Sequence, residues 1–113
     1  MNPEPVVQRQ VEGYNARDLE RFLAEYSDDV EVYRPPAVEP AIRGKPAFSA
    51  FYAAQRFNCA GLHAEIVDRM VLGNKVIDHE RISGVRETPF EVAVAYEIVD
   101  GLIRRMWAFP AEQ

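Results

Sequence analysis

Asp68 and His79 are the residues of this chain whose types and spacing best suit proton chemistry. They flank Gly73-Asn74, a tight-turn signal between two runs rich in β-branched residues. A two-residue loop there sets Arg69 opposite Asp78 on one face of the hairpin and Asp68 opposite His79 on the other. A carboxylate beside an imidazole orients the ring and raises its basicity, as a general base requires. The Asp68 face also carries Leu62, Ala64, Ile66, Met70 and Leu72, apolar enough for an interior. The competing reading of the same pair is an exposed cross-strand contact on the outer face or at a dimer interface.

Arg105 is the second candidate. Asp100-Gly101 marks another two-residue hairpin, and carrying its pairing outward sets Tyr96 against Arg105, Val94 against Trp107 and Val92 against Phe109. Glu97 against Arg104 and Ala95 against Met106 fall on the other face. The first face is the more aromatic, so it is expected inside. A guanidinium there needs a carboxylate, from Glu80, Asp78 or an acidic ligand, or else closes a structural salt bridge near the sheet edge. Tyr14, Tyr33, Phe51, Tyr52, Trp107 and Phe109 either line an aromatic pocket or fill the core. The expected catalytic set is Asp68, His79 and Glu80. The expected ligand-binding set is Tyr14, Tyr33, Tyr52, Tyr96, Arg105 and Trp107.

Other chemistries find little support. His79-Glu80 lacks the second histidine of a zinc-binding H-E-x-x-H, and Cys59 and His63 have no closed-site spacing, so no metal is expected. Pro46 stands where a phosphate loop needs Ser or Thr after Gly-Lys, and Ser83 is not in a nucleophile elbow. The chain of 113 residues, with a net charge of -5 and scattered basic residues, is expected to be one domain, residues 1–113, that binds neither nucleic acid nor an anionic membrane. One cysteine permits no internal disulfide, and no signal peptide or membrane span is read. The expected location is the cytoplasm.

The elements that must position these groups follow from periodicity. Asn2, Pro3 and Glu4 open a first helix with the stripe Val7, Val11 and Tyr14, ending near Asn15. Asp18 caps a second helix with the stripe Leu19, Phe22, Leu23 and Tyr26. Val30 to Arg34 reads as a short strand stopped by Pro35-Pro36, and residues 35–44 as loop. Gly44-Lys45-Pro46 opens a third helix through Phe57, whose stripe Phe48, Phe51, Tyr52 and Gln55 should face the sheet. Residues 62–109 read as four antiparallel strands.

Y-N-A-R-D-L (Tyr14 to Leu19), Y-S-D-D-V (Tyr26 to Val30), R-G-K-P (Arg43 to Pro46) and V-D-G-L-I-R-R (Val99 to Arg105) resemble the SnoaL-like and ketosteroid-isomerase-like branch of the nuclear transport factor 2-like superfamily. The resemblance spans nearly the whole chain. It implies an α+β, cystatin-like cone in which three N-terminal helices pack on a strongly curved, mainly antiparallel sheet around a pocket. It also implies a homodimer through the outer sheet face, here expected from Glu97, Arg104, Ala95 and Met106. The residues of ketosteroid isomerase do not carry over. Arg34 precedes Pro35 where the base would stand, Gln10 takes the place of the oxyanion tyrosine, and the acidic partner falls near Val94. That same resemblance turns Val76, Asp78, Glu80 and Ile82 toward the pocket, the opposite parity from the hairpin reading. The Arg-x-Asp of limonene epoxide hydrolases is matched only by Arg81-Ile82-Ser83.

Two functions stay open. One is a cofactor-free isomerase, hydratase or hydrolase acting on a largely apolar small-molecule ligand. The other is a non-catalytic ligand binder or dimeric interaction module of the same fold.

Overall fold

The computed structural model describes residues 2–111. Helices α1 (Glu4–Asn15) and α2 (Leu19–Leu23) lead into strands β1 (Tyr26–Tyr33) and β2 (Ile42–Arg43). Helix α3 (Lys45–Gln55) follows, then β3 (His63–Leu72), β4 (Lys75–Ser83), β5 (Phe90–Val99) and β6 (Leu102–Pro110). The six strands form one open sheet in the order β2-β1-β6-β5-β4-β3. Only β1 and β6 pair in parallel; the other pairings are antiparallel. The expected α+β architecture, three helices on a mainly antiparallel sheet, is therefore observed.

Local chemistry accounts for the helix boundaries. The Asn2 side chain accepts the Glu4 N–H, and the Asp18 side chain accepts the Arg21 N–H at the start of α2. Helix α2 is shorter than its apolar stripe suggests, because Tyr26 opens β1 instead of closing the helix. The Ile103 N–H takes the Glu25 carbonyl at 2.9 Å, drawing the chain onto β6 at that point. Gly13 permits α2 to lie against α1, since a Cβ there would sit 2.8 Å from the Phe22 backbone nitrogen. Helix α3 ends at Gln55, two residues before the expected Phe57, and Ile42–Arg43 forms a short edge strand inside the expected loop.

Two extra residues decide which side chains point inward. In β3, Asp68 pairs with His79 and Ile66 with Glu80, so Val67 is a bulge. Leu62 and Ala64 are buried on the inner face, but beyond Val67 the parity reverses and Arg69 takes the inward place expected for Asp68. Asp68, Met70 and Leu72 are exposed. In the β5–β6 hairpin, Val99–Leu102 and Ile98–Ile103 pair as expected across Asp100-Gly101, both at positive φ. Arg104 is then the extra residue, Glu97 pairs with Arg105, and Tyr96 faces Met106. Arg104 Nε lies 3.1 Å from Asp29 on β1, whose own register with β6 also shifts here.

The inner face of β4 is thus Val76, Asp78, Glu80 and Ile82, all buried. Asp78 is wholly enclosed, and Arg69 binds it through two nitrogens at 2.7 and 2.9 Å while also reaching Gln8 at 3.0 Å. Such a bidentate pair offsets the cost of burying its charges only while both members are present. Arg69→Leu is therefore predicted to destabilise the fold by about 3–5 kcal/mol, with Asp78→Asn in that background recovering part of the loss. Urea unfolding of the three proteins at pH 7 measures this, and a loss below about 1 kcal/mol would contradict the interior assignment of Arg69.

Candidate active site

A cavity of about 580 Å³ lies between the helices and the inner face of the sheet. Its wall is mostly apolar: Val11 and Phe22 come from the helices, and Val32, Ala64, Ile82, Val92, Val94 and Met106 from strands. The polar groups are few and specific. Gln10, from the buried stripe of α1, accepts the Tyr26 hydroxyl at 2.8 Å and donates to the Tyr96 hydroxyl at 3.3 Å. The Tyr96 hydroxyl donates to Glu80 Oε2 at 2.9 Å. Glu80 Oε1 makes no hydrogen bond to another described residue. The chain of contacts from Tyr26 to Glu80 fixes that carboxyl group while leaving one oxygen for whatever enters the cavity.

Burial is the largest influence on Glu80. It pushes the carboxyl pKa up to about 7, with the Asp78 charge adding to the rise and the Tyr96 hydroxyl and Arg69 opposing it. A carboxyl group near neutrality can take or give a proton at physiological pH. Tyr52 from α3 and Tyr14 from α1 also line the cavity. Burial pushes the Tyr52 phenol up to about 12, and it raises Tyr14 further, so both are neutral hydroxyls able to donate a hydrogen bond. The arrangement provides an acid–base group and separate donors for a ligand oxygen, the two parts that enolisation chemistry requires.

Several expected residues lie elsewhere. Asp68 is on the exposed outer face, and His79, also there, is hydrogen-bonded to Glu91. The pair Asp68–His79 has its expected register, but the Val67 bulge has turned it out of the cavity. Arg105 is likewise outside, bound to Glu97 at 2.9 Å and Glu31 at 3.3 Å, because the Arg104 bulge exchanged its face with that of Met106. Trp107 stacks on Tyr33 at 5.6 Å on the same outer face, so neither lines the cavity. The expected dimer face accordingly keeps Ala95 and Glu97 but loses Met106 to the interior. Glu80, Tyr14, Tyr52 and Tyr96 are brought together in one space.

Residues absent from the expected sets complete it. The spacing of Tyr26 points to a helix, and Gln10 is marked only by the resemblance, at the place of a family tyrosine. Arg34, Arg56 and Arg86 also line the cavity. Arg56 is the residue just after α3, and its backbone N–H binds the Tyr52 carbonyl at 3.0 Å. No group of three or more His, Cys, Asp or Glu side chains able to hold a metal occurs among the described residues. No helix among them is long and apolar enough to cross a membrane.

The comparisons with other proteins agree with this architecture. An uncharacterised cystatin-fold protein from Novosphingobium aromaticivorans superposes with a TM-score of 0.84 at 21% identity, covering 96% of this chain and 98% of that one. A nuclear transport factor 2-like protein of unknown function from Burkholderia xenovorans gives 0.81 at 19% identity, covering 97% and 83%. A computationally designed 17-OHP binder gives 0.82 at 17% identity, covering 96% and 91%. At these identities the likeness is one of fold. No curated protein matches the sequence. The SnoaL-like domain family matches over residues 7–106, and the chain belongs to that family.

Proposed function

We propose that this protein binds a largely apolar small molecule in its cavity and moves a proton on it without a cofactor, with Glu80 as the acid–base group. The observation that carries the reading is a buried glutamate with one oxygen held by Tyr96 and the other without a hydrogen-bond partner among the described residues, inside a mostly apolar cavity. Tyr52 and Tyr14 are the donors that would polarise a carbonyl of the ligand. The reaction class this supports is isomerisation or exchange at a carbon next to a carbonyl: Glu80 takes the proton, the oxygen gains negative charge, and the phenols stabilise it. The route differs from that of ketosteroid isomerase, since the base stands on β4 and Arg34 occupies the place just before Pro35. A binder without catalysis is the second reading, favoured by the structural likeness to a designed 17-OHP binder.

Glu80 also couples this reading to stability. Its native pKa of about 7 lies above the ordinary 4.5, so between those values the folded chain holds a proton that the unfolded chain has released. Stability is thus undiminished by this group below pH 4.5, declines as pH rises, and carries the full penalty above about 7. The gap corresponds to roughly 3 kcal/mol. Glu80→Gln is predicted to match the wild type near pH 4 and to exceed it by roughly 1–3 kcal/mol at pH 8. Denaturant titrations across this range measure the difference, and a gap independent of pH would remove the perturbed titration.

Catalysis is tested by incubating the protein in D2O with a panel of apolar cyclic and aryl ketones and following deuterium uptake beside the carbonyl by mass spectrometry. The expected result is uptake that increases through neutral pH and falls by about 10²–10⁴-fold in Glu80→Gln. Binding of the ketones with no uptake, or uptake unchanged by the substitution, would leave the non-catalytic reading in place.

A further inference from the structure

The opening of the cavity is cationic, although the chain as a whole is acidic, with a net charge of -5. Arg34 and Arg86 are exposed and line the cavity, which places them where it meets solvent; Arg56 beside them is half-buried. Two phenylalanines tie the three together. The Arg34 and Arg56 guanidinium carbons lie 5.1 and 5.7 Å from the centre of the Phe51 ring. Those of Arg56 and Arg86 lie 5.9 and 4.1 Å from the centre of Phe90. None of the three forms a salt bridge among the described residues, whereas Arg9, Arg43, Lys45, Arg69, Lys75, Arg104 and Arg105 each do. Arg56 gives one N–H to the Gln55 carbonyl at 2.8 Å.

Aromatic rings hold a guanidinium by its face and leave its edge donors available. Three like charges gathered on two rings repel one another, and no carboxylate of the described residues stands within salt-bridge distance of them; the Tyr14 hydroxyl is a neutral partner of Arg56. An oxyanion at the opening would relieve that repulsion and accept their edge N–H groups. Farther in, the apolar wall and Glu80 would disfavour a second anionic group.

We propose that the ligand is an amphipathic acid, an apolar body with a terminal oxyanion, a carboxylate foremost, held by Arg34, Arg56 and Arg86 at the opening. The inference rests on the reading of the cavity as a ligand site and adds the chemical class of the ligand. The anion anchors one end, and the body extends toward Glu80, so the reacting carbon would lie at a distance from the charged group.

Two fluorescent probes that share an apolar body test this: 8-anilinonaphthalene-1-sulfonate and N-phenyl-1-naphthylamine, which lacks the sulfonate. The wild type is expected to bind the sulfonate at least ~10-fold more tightly than its neutral counterpart. Arg34→Gln and Arg86→Gln should each weaken the sulfonate by ~3–10-fold and leave the neutral probe unchanged, with Arg81→Gln on the exposed outer face of β4 as a control without effect. Octanoate should displace the sulfonate at concentrations where octanol does not. Failure of octanoate to outcompete octanol would overturn the carboxylate assignment. Equal affinity for the two probes, unaffected by the arginine variants, would overturn the oxyanion while leaving the cavity a site for neutral ligands. Binding of neither probe would overturn both the oxyanion and the cavity reading beneath it.

Discussion

A carboxyl group enclosed by apolar side chains is costly to ionise, and the interior is arranged around how Glu80 meets that cost. Tyr96 supplies one hydrogen bond and is itself braced through Gln10 to Tyr26. The neighbouring acid, Asp78, is neutralised separately by Arg69, which in turn is held by Gln8 and Glu4. The two buried acids of β4 are therefore treated differently. One is locked in a bidentate ion pair suited to structure. The other has a single neutral donor and an unpaired oxygen, the condition in which a buried acid is most responsive to a ligand.

This division depends on strand parity, and parity depends on Val67. Had Val67 kept the strict alternation of a regular strand, Asp68 would continue the inner face begun by Leu62 and Ala64, and Arg69 would point away from Asp78. The bulge is what allows a strand paired in simple register near its turn to present a different face farther along. Arg104 has the corresponding role in the last hairpin. It moves Met106 inward beneath Tyr96 and leaves Arg105 outside among Glu31 and Glu97.

Much of the architecture was legible in the sequence because it is carried by local signals. Asp18 caps α2, Asp100-Gly101 adopts the positive φ angles of a tight hairpin, and the pairs nearest both turns fall in the expected register. Tyr14, Tyr52 and Tyr96 were legible as candidates from residue type and face, and Glu80 only through the family resemblance that turns its side of the strand toward the pocket. The bulges were not, because Val67 and Arg104 resemble ordinary strand residues and their displacement is set by contacts across the sheet. The outward placements of Asp68, His79, Arg105 and Trp107 share that origin. Tyr26 was misread for a related reason: its spacing continues the stripe of α2, but the parallel pairing with β6 claims its backbone.

The cavity thus has a chemical direction, from a cationic aromatic opening to a floor of phenols and one acid. The most direct measurement of the central claim is a carbon NMR titration of the Glu80 side-chain carboxyl, assigned by comparison with Glu80→Gln. A midpoint near 7 is predicted. A midpoint near the ordinary 4.5 would mean that the group is solvated and would contradict the account.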